Sequence, residues 1–499
     1  MDYKKLQNGS DIRGVALEGI EGQHINLTEQ ACRDIGRGFA LWLTKKTGKT
    51  NLRVSVGRDS RLSGKTLCDW ICGSMVSQGL CVTDFGMAST PAMFMSTVTE
   101  GYQFDGAVMI TASHLPFNRN GFKFFTAQGG LESADIKEIL AYAGGEEVTG
   151  LPAGSMVAGE FMDTYAGILA DKIRAATGME KPLEGFRIVV DAGNGAGGFY
   201  VDMVLKPLGA DTTGSRYLDP DGSFPNHIPN PEDKKAMEAI TEAVNTNHAD
   251  LGIIFDTDVD RAGAVLSDGS ELNRNRIIAM LAAILLREHP GTTIVTDSIT
   301  STGLASFIES KGGVHHRFKR GYRNVINESI RLNNQGQDSQ LAIETSGHGA
   351  LKENYFLDDG AYLITKLLIE LARGKKEGYT LESLIADLAE PAESVEFRMN
   401  ILLDEFKPYG QQVIEELTAY AEKQTGWSLA PSNYEGVRVN LDENHGNGWF
   451  LLRLSLHDPL LPLNIESNSE GGCRIIAGEL AKFLLNYTNL DTTPLKNYI

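Results

Sequence analysis

The sequence predicts a multidomain α/β protein ending in an α+β block, and three observations carry that expectation. Short β-branched or apolar runs, followed by glycines and then a helical period, recur along most of the chain. Its 499 residues correspond to about three or four domains at roughly 100–200 residues each. Past residue 391 the pattern changes to strand-like runs interleaved with amphipathic helices.

The strand-like runs are LRVSVG near 52, GAVMI near 106, FRIVVDAG near 186, LGIIFD near 251 and TTIVTD near 292. Between them Phe161, Tyr165, Ile168, Leu169 and Ile173 share one helical stripe, as do Ile277, Met280, Leu281 and Leu285. Strands joined through helices predict parallel sheets with crossover connections. No Pro- or Ser-rich linker separates the blocks, so the junctions are placed where one α/β block gives way to the next. The resulting domains are 1–159, 160–276, 277–390 and 391–499. The last contains SVEFRMNI, a helix around Val413, Leu417 and Ala421, the runs VRVNL and WFLLRLSL, and a closing helix around Ile476, Leu480 and Phe483. That order predicts an antiparallel sheet.

Charge narrows the partners. With 46 basic and 65 acidic side chains the net charge is −19, which repels nucleic acid and anionic lipid. A small anionic substrate stays compatible with it, because a local Arg/Lys cluster can outweigh a diffuse field. The five cysteines, Cys32, Cys68, Cys72, Cys81 and Cys473, are odd in number and lack zinc spacing. Reduced thiols in the cytoplasm are expected, with Cys68 and Cys72 as packed small hydrophobes rather than a metal half-site. The N-terminus lacks a signal-peptide core, and the longest apolar run, IIAMLAAILL at 277–286, is too short to span a bilayer.

The sharpest chemical feature is FDTDVDR at 255–261. In an extended segment Asp256, Asp258 and Asp260 project to one face, and three carboxylates at one point demand a cation. Hard oxygen ligands suit Mg²⁺. A solvated acidic turn is disfavoured because LGIIF precedes the triplet and Arg261, not a glycine, closes it. An EF-hand fails on spacing, since Arg261 and Ser267 stand where Gly and Glu are needed. A haloacid-dehalogenase-type aspartyl nucleophile usually has Thr or Val where Asp260 stands.

In TASHLPFNRNGFKFF at 111–125 the run AVMI delivers Ser113 and His114 to the end of a strand, where α/β proteins place their ligands. Ser113 is a candidate nucleophile or phosphate carrier without the GxSxG of a hydrolase elbow, and Lys123 is a candidate acid/base. ETSGH at 344–348 follows the apolar LAI; Glu344 and Ser346 alternate toward one face and suit adjacent sugar hydroxyls, with His348 placed to orient them or a phosphate. Arg13, Arg58, Arg61, Arg323 and Arg453 are candidate phosphate grips, since guanidinium binds phosphate bidentately. GNGAGG at 193–198 fits the dinucleotide fingerprint, but the following DTTGSRYLD is a poor second strand, which argues against a nucleotide site.

Taken in order, SDIRG at 10–14, TASHLPFNRNGFK, DTDVDR and ETSGH resemble the successive motifs of the α-D-phosphohexomutase superfamily, the phosphoglucomutase/phosphomannomutase type. MASTPAM at 87–93, VVDAGNGAGG at 189–198 and PDGSFPNHIPNPED at 220–233 are similar too, so the resemblance covers essentially the whole chain. It implies three related α/β domains with mixed sheets and a C-terminal α+β domain closing a central cleft. It also implies phosphoserine at Ser113, and Mg²⁺ held by Asp256, Asp258, Asp260 and an oxygen on Ser113. Arg261 would steady the phosphoserine, Lys123 and His114 would transfer protons, Arg13 would touch the transferring group, and Glu344 and Ser346 would grip the sugar.

The expected activity is interconversion of hexose 1- and 6-phosphates, of glucose or mannose, through a 1,6-bisphosphate that also serves as activator. The alternatives are a phosphoglucosamine mutase, a catalytically silent sugar-phosphate binder, and, outside the family, a nicotinamide dehydrogenase built on GNGAGG. Departures cluster in the phosphate loop, usually close to RxSGTEP and here RLSLHDP at 453–459. Arg453 and Ser455 match, and His457 with Arg323 completes the candidate phosphate-binding set. Leu115 stands where Asn is common. A monomer is expected, with a homodimer the alternative.

Overall fold

The computed structural model describes residues 2–145, 153–455 and 458–499. Two compact units emerge, Met1–Ile284 with Ser346–Leu384, and Leu285–Thr345 with Ile385–Ile499.

The first unit contains an eight-stranded mixed sheet. Its strands run in the order Gln7–Asn8, Asp11–Val15, Arg119–Thr126, Gly106–Ile110, Arg53–Arg58, Cys81–Met87, Ser155–Ala158, with Gly129–Gly130 on Arg119–Thr126. Arg53–Arg58 pairs in parallel with both Cys81–Met87 and Gly106–Ile110. The pairing turns antiparallel at Gly106–Ile110 with Arg119–Thr126, and again at Asp11–Val15. Helices Glu29–Thr47, Gly64–Ser77 and Ser133–Ala143 contribute to a core around Ile35, Phe39, Val54, Ile71, Phe124 and Ile139. The caps explain where helices begin and end. Thr28 accepts from Ala31 N at 3.2 Å, and Gly48 closes the same helix with φ 68°. Cys68 and Cys72 lie side by side in this core, Sγ atoms 3.7 Å apart.

A second sheet in this unit orders Glu271–Leu272, Ala262–Leu266, Leu251–Phe255 and Ile188–Asp191, parallel only between the last two. Helices Met162–Thr177, Lys234–Asn247 and Gly360–Glu377 accompany it. Phe161, the first residue of the expected stripe, sits at the N-cap rather than inside the helix.

In the second unit Val314–Arg317, Thr293–Thr296 and Ser339–Ile343 lie parallel in that order, with helices Thr302–Ser310 and Tyr322–Asn334. The C-terminal sheet is antiparallel throughout, in the order Glu393–Asn400, Leu460–Ser467, Gly448–Leu452, Val437–Leu441, Trp427–Leu429. Helices Phe406–Ala421 and Gly472–Leu484 cover it through Val413, Leu417, Ile476 and Leu480. The strand within WFLLRLSL stops at Leu452, and Arg453 opens the loop that follows. Leu460–Ser467, which alternation does not mark, occupies the second place in the sheet. No helix among the described residues is long and apolar enough to cross a membrane.

Candidate functional site

Strand Leu251–Phe255 ends in a tight turn that returns as Ala262–Leu266. The turn holds Asp256, Asp258 and Asp260, all essentially inaccessible, with one oxygen of each within 4.8 Å of the others. Their convergence does not come from strand alternation, as the spacing suggests. Val259 adopts φ 68°, and the hairpin curls the three carboxylates around one point. Helix Gly360–Glu377 fixes this turn from behind. Gly360 N donates to Val259 O at 3.1 Å, and a Cβ on Gly360 would meet the Arg261 carbonyl carbon at 2.5 Å.

Three carboxylates at that separation repel by roughly 3 kcal/mol or more per pair at an effective dielectric of about 20. The protein offsets part of this. Lys123 Nζ binds Asp260 Oδ2 and lies 3.3 Å from Asp258 Oδ2, while Arg261 Nη2 is 3.1 Å from Asp256 Oδ2. Burial pushes Asp256 well above the usual carboxylate range, and its acidic neighbours push the same way. Burial would raise Asp260 too, but Lys123, His348 and Arg261 outweigh it and hold its carboxyl low. Asp258 Oδ1 and Asp260 Oδ1 are buried without a hydrogen-bond partner among the described residues. Two orphaned carboxylate oxygens beside a compressed anionic cluster fit a hard divalent cation.

Ser113 stands at this cluster. It follows strand Gly106–Ile110 in the left-handed conformation, φ 52°, and is buried. Its Oγ donates to Asp256 Oδ2 at 3.1 Å and accepts from Arg261 Nη2 at 2.9 Å. Arg261 Nη2 also donates to His114 Nδ1 at 2.5 Å. Because guanidinium only donates, Nδ1 accepts and the His114 proton sits on Nε2. Burial, reinforced by Arg261 and Arg13, holds His114 down at about 3, so its ring is neutral near pH 7.

Lys123 is not on a surface loop. It lies inside the buried antiparallel strand Arg119–Thr126, paired opposite Met109. An isolated antiparallel bridge between Arg261 and His348 brings the histidine alongside, Nδ1 being 2.5 Å from Asp358 Oδ2 and 3.9 Å from Asp260 Oδ1. Burial opposes its charge, but Asp358 and Asp260 raise His348 to about 9. Ser346 is buried two residues earlier, and Arg13 pairs with Asp11 at 2.9 Å.

Several residues enter that motif reasoning did not single out. Thr90, first residue of helix Thr90–Val98, donates its N–H to Asp258 O at 2.8 Å and its hydroxyl to Asp258 Oδ2. The helix N-terminus thus faces the acidic turn, a favourable polarity. Its signal was the MASTPAM stretch. Asn230 Oδ1 accepts from Arg261 Nη1 at 3.1 Å, and its loop is tied down by His227, whose Nε2 is 3.1 Å from Asp191. Arg61, read as a phosphate grip, serves a different purpose. Its guanidinium is buried and donates to the carbonyls of Ser113, Leu115, Pro116 and Arg119, stapling the serine loop. Arg58 pairs with Asp84 at 3.2 Å.

The glycines of GNGAGG also have a packing role. A Cβ on Gly195 would lie 2.7 Å from Thr257 O, and one on Gly198 would lie 2.4 Å from Leu218 O. No regular α-helix follows directly, only the short turn Tyr200–Leu205, so the geometry that holds a pyrophosphate is missing there.

The remaining candidates belong to the second unit. Glu344 Oε1 accepts from Gly321 N at 2.6 Å, Arg323 begins helix Tyr322–Asn334, and Arg453 lies 3.8 Å from Glu435. Ser455 Oγ accepts from Asp458 N at 3.2 Å. His457 lies outside the described residues.

Comparison with known proteins matches three family models in chain order. They are phosphoglucomutase/phosphomannomutase alpha/beta/alpha domain I over residues 4–147, domain II over 164–269 and domain III over 273–391. A phosphoglucomutase of Neisseria gonorrhoeae is 31 % identical over 455 residues, covering 91 % of this chain and 92 % of that protein. A phosphomannomutase/phosphoglucomutase of Pseudomonas putida is 31 % identical, with 86 % and 88 % covered. The crystal structure of a phosphoglucomutase/phosphomannomutase family protein from Burkholderia thailandensis superposes with a TM-score of 0.80 at 28 % identity, covering 98 % of this chain and all of that one.

Proposed function

Given that the chain belongs to the phosphoglucomutase/phosphomannomutase family, we propose that it is a phosphohexomutase interconverting the 1- and 6-phosphates of glucose or mannose through phospho-Ser113. The observation that carries this reading is the placement of Ser113 Oγ between Arg261 and Asp256 at the edge of the acidic triad. A serine so placed can carry a phosphoryl group whose oxygens meet a guanidinium and the metal site at once.

Asp256, Asp258 and Asp260 would hold Mg²⁺ together with an oxygen on Ser113, and the ion when bound supplies charge neutralisation to phosphoryl oxygens. The side chains do the rest. Arg261 holds the serine oxygen in place, and its fork is positioned for the charge of a loose phosphoryl-transfer transition state. His114 is neutral with its proton on Nε2, so that nitrogen can donate. Lys123 shares in proton transfer from its station between Asp258 and Asp260. Arg13 supplies further positive charge toward the transferring group.

A phosphoryl group cannot pass directly between two oxygens at opposite ends of one hexose. Phospho-Ser113 therefore gives its group to the free hydroxyl, and the resulting 1,6-bisphosphate reorients and returns its other phosphate to Ser113. The same bisphosphate would prime an unphosphorylated serine, which makes it the expected activator. Glu344 and Ser346 would take the sugar hydroxyls, with Arg323, Arg453, Ser455 and His348 for substrate phosphate and orientation. The limits of the matched family models support the division at 1–159, 160–276, 277–390 and 391–499. Free cysteine thiols support a cytoplasmic setting, and the charge of −19 argues against nucleic acid and anionic membranes as partners.

The test is ³¹P NMR of the protein with Mg²⁺ and a trace of glucose 1,6-bisphosphate, presented in turn with glucose, mannose and glucosamine 1-phosphate, beside Ser113→Ala. Conversion to 6-phosphate by the native protein alone supports the reading and ranks the sugars, separating the glucosamine alternative. Absence of conversion with all three, from protein shown to carry phosphoserine, would reject it in favour of a silent binder.

A further inference from the structure

Arg453 opens the loop after strand Gly448–Leu452, and most of its side chain is buried, 13 % exposed. Even so, its Nε has no hydrogen-bond partner among the described residues, and its one ion pair is the 3.8 Å approach of Nη1 to Glu435 Oε1. That carboxylate is anchored elsewhere. Glu435 Oε2 accepts from Ser298 Oγ at 2.6 Å and from Arg320 N at 3.1 Å. The next amide in the same turn, Gly321 N, donates to Glu344 Oε1 at 2.6 Å. Two successive N–H groups thus bind two carboxylates, one beside the C-terminal sheet and one on the sugar-recognition motif.

The Arg320 side chain is held as well, its Nε 3.5 Å from Asp297 Oδ2. Asp297 is fully buried at the end of strand Thr293–Thr296, and its Oδ2 also accepts from Thr345 Oγ1 at 2.8 Å. Arg320 and Arg453 therefore share Glu435 as a common partner, each steadied from one side by a fixed carboxylate. Burial lowers Arg453 from its ordinary value, and the nearby Arg320 contributes to the lowering. Two converging guanidiniums beside a loop that lacks part of the usual phosphate motif describe a place for a dianion.

We propose that Arg320 is the second cationic arm of the site that takes the non-transferring phosphate of a sugar phosphate, beside Arg453, with Glu435 as the positioning residue that holds both arms. Assignment of the anion to a sugar phosphate rests on the mutase reading; the anion site itself does not. Arg320 would supply from a different loop the charge that RLSLHDP lacks, and a group on the Gly321 turn couples phosphate capture to the placement of Glu344.

The experiment uses the full chain with Arg320→Gln, Arg320→Lys, Glu435→Gln and Arg453→Gln, and the double variant Glu435→Gln with Arg453→Gln. Turnover of hexose 1-phosphate is measured beside titration with inorganic phosphate, followed by ³¹P line width. Arg320→Gln is expected to raise KM about tenfold or more and weaken inorganic phosphate by a similar factor, with kcat lowered less than threefold; Arg320→Lys recovers part of the loss. Glu435→Gln is expected to raise KM in the native background and to add nothing once Arg453 is gone. KM and phosphate affinity within twofold of native in Arg320→Gln would overturn the assignment, and if that variant does not fold, the same result in Arg320→Lys with additive Glu435 and Arg453 effects would do so. Native turnover with an indifferent Arg320 removes this site and leaves the mutase reading standing. Absence of turnover with Arg320-dependent phosphate binding does the reverse.

Discussion

Arg261 and Ser113 stand 148 positions apart in the chain, yet one guanidinium nitrogen, Nη2, donates to the serine Oγ at 2.9 Å. The same nitrogen reaches His114 Nδ1 and Asp256 Oδ2, while Nη1 reaches Asn230. Lysine cannot reproduce that fork. Arg261→Lys is expected to lower kcat by about 100-fold or more, the usual cost of losing a preorganised donor at developing charge. Turnover within tenfold of native would show that the fork is dispensable.

Asp258→Asn removes one of three mutually repelling buried carboxylates. Mg²⁺-dependent turnover should be lost while the fold stays intact. In the native protein Mg²⁺ should raise the thermal midpoint, because a ligand that binds only the folded state stabilises it. In the variant that rise should vanish, with the metal-free midpoint unchanged or higher. Full activity in Asp258→Asn would remove the metal assignment.

Arg61→Gln strands four backbone carbonyls that one buried guanidinium now satisfies. Unsatisfied buried acceptors cost about 1–3 kcal/mol each. The loop 113–119 should therefore open locally, read as faster hydrogen exchange in a peptide covering it and a thermal midpoint several degrees lower. Unchanged exchange there would refute the staple.

Gly195→Ala places a methyl group 2.7 Å from Thr257 O and 2.8 Å from Thr257 Cα, on the turn that carries the acidic triad. Mg²⁺ should bind at least several-fold more weakly, measured by calorimetry. A dinucleotide-loop reading expects instead a change in NAD binding with Mg²⁺ affinity unaffected.

In the second unit, burial, with Arg317 and Arg438, pushes His315 well below the ordinary imidazole value of 6.5. The folded state then resists a proton that the unfolded state accepts. The stabilisation is present above pH 6.5 and declines as pH falls below it, by up to about 1.4 kcal/mol per pH unit. Between pH 7.5 and 5.5 the thermal midpoint of native protein should fall more steeply than that of His315→Gln. Parallel profiles would show that the ring titrates normally.

Local pattern in the sequence was enough to mark GAVMI and LGIIF as strands, to put Ser113 and the three aspartates just beyond them, and to distinguish the antiparallel C-terminal block. Alternation and helical period are properties of neighbouring residues, and a buried face imposes them wherever it lies. Ordered motifs identified the family for the same reason, since each is a short loop with its chemistry written in consecutive residues. Tertiary structure alone decided how those loops meet. The aspartates converge because Val259 turns left-handed under helix Gly360–Glu377, not because a strand alternates. Lys123 sits between two of them because an antiparallel strand, hidden in what reads as loop, pairs with Gly106–Ile110. Arg61 became a staple, and Arg320 and Glu435 gained partners, through contacts spanning more than 50 and 100 positions respectively. No periodicity encodes such pairings: a side chain's partner across the fold is set by how whole elements pack, and a buried charge takes its role from the groups that packing puts beside it.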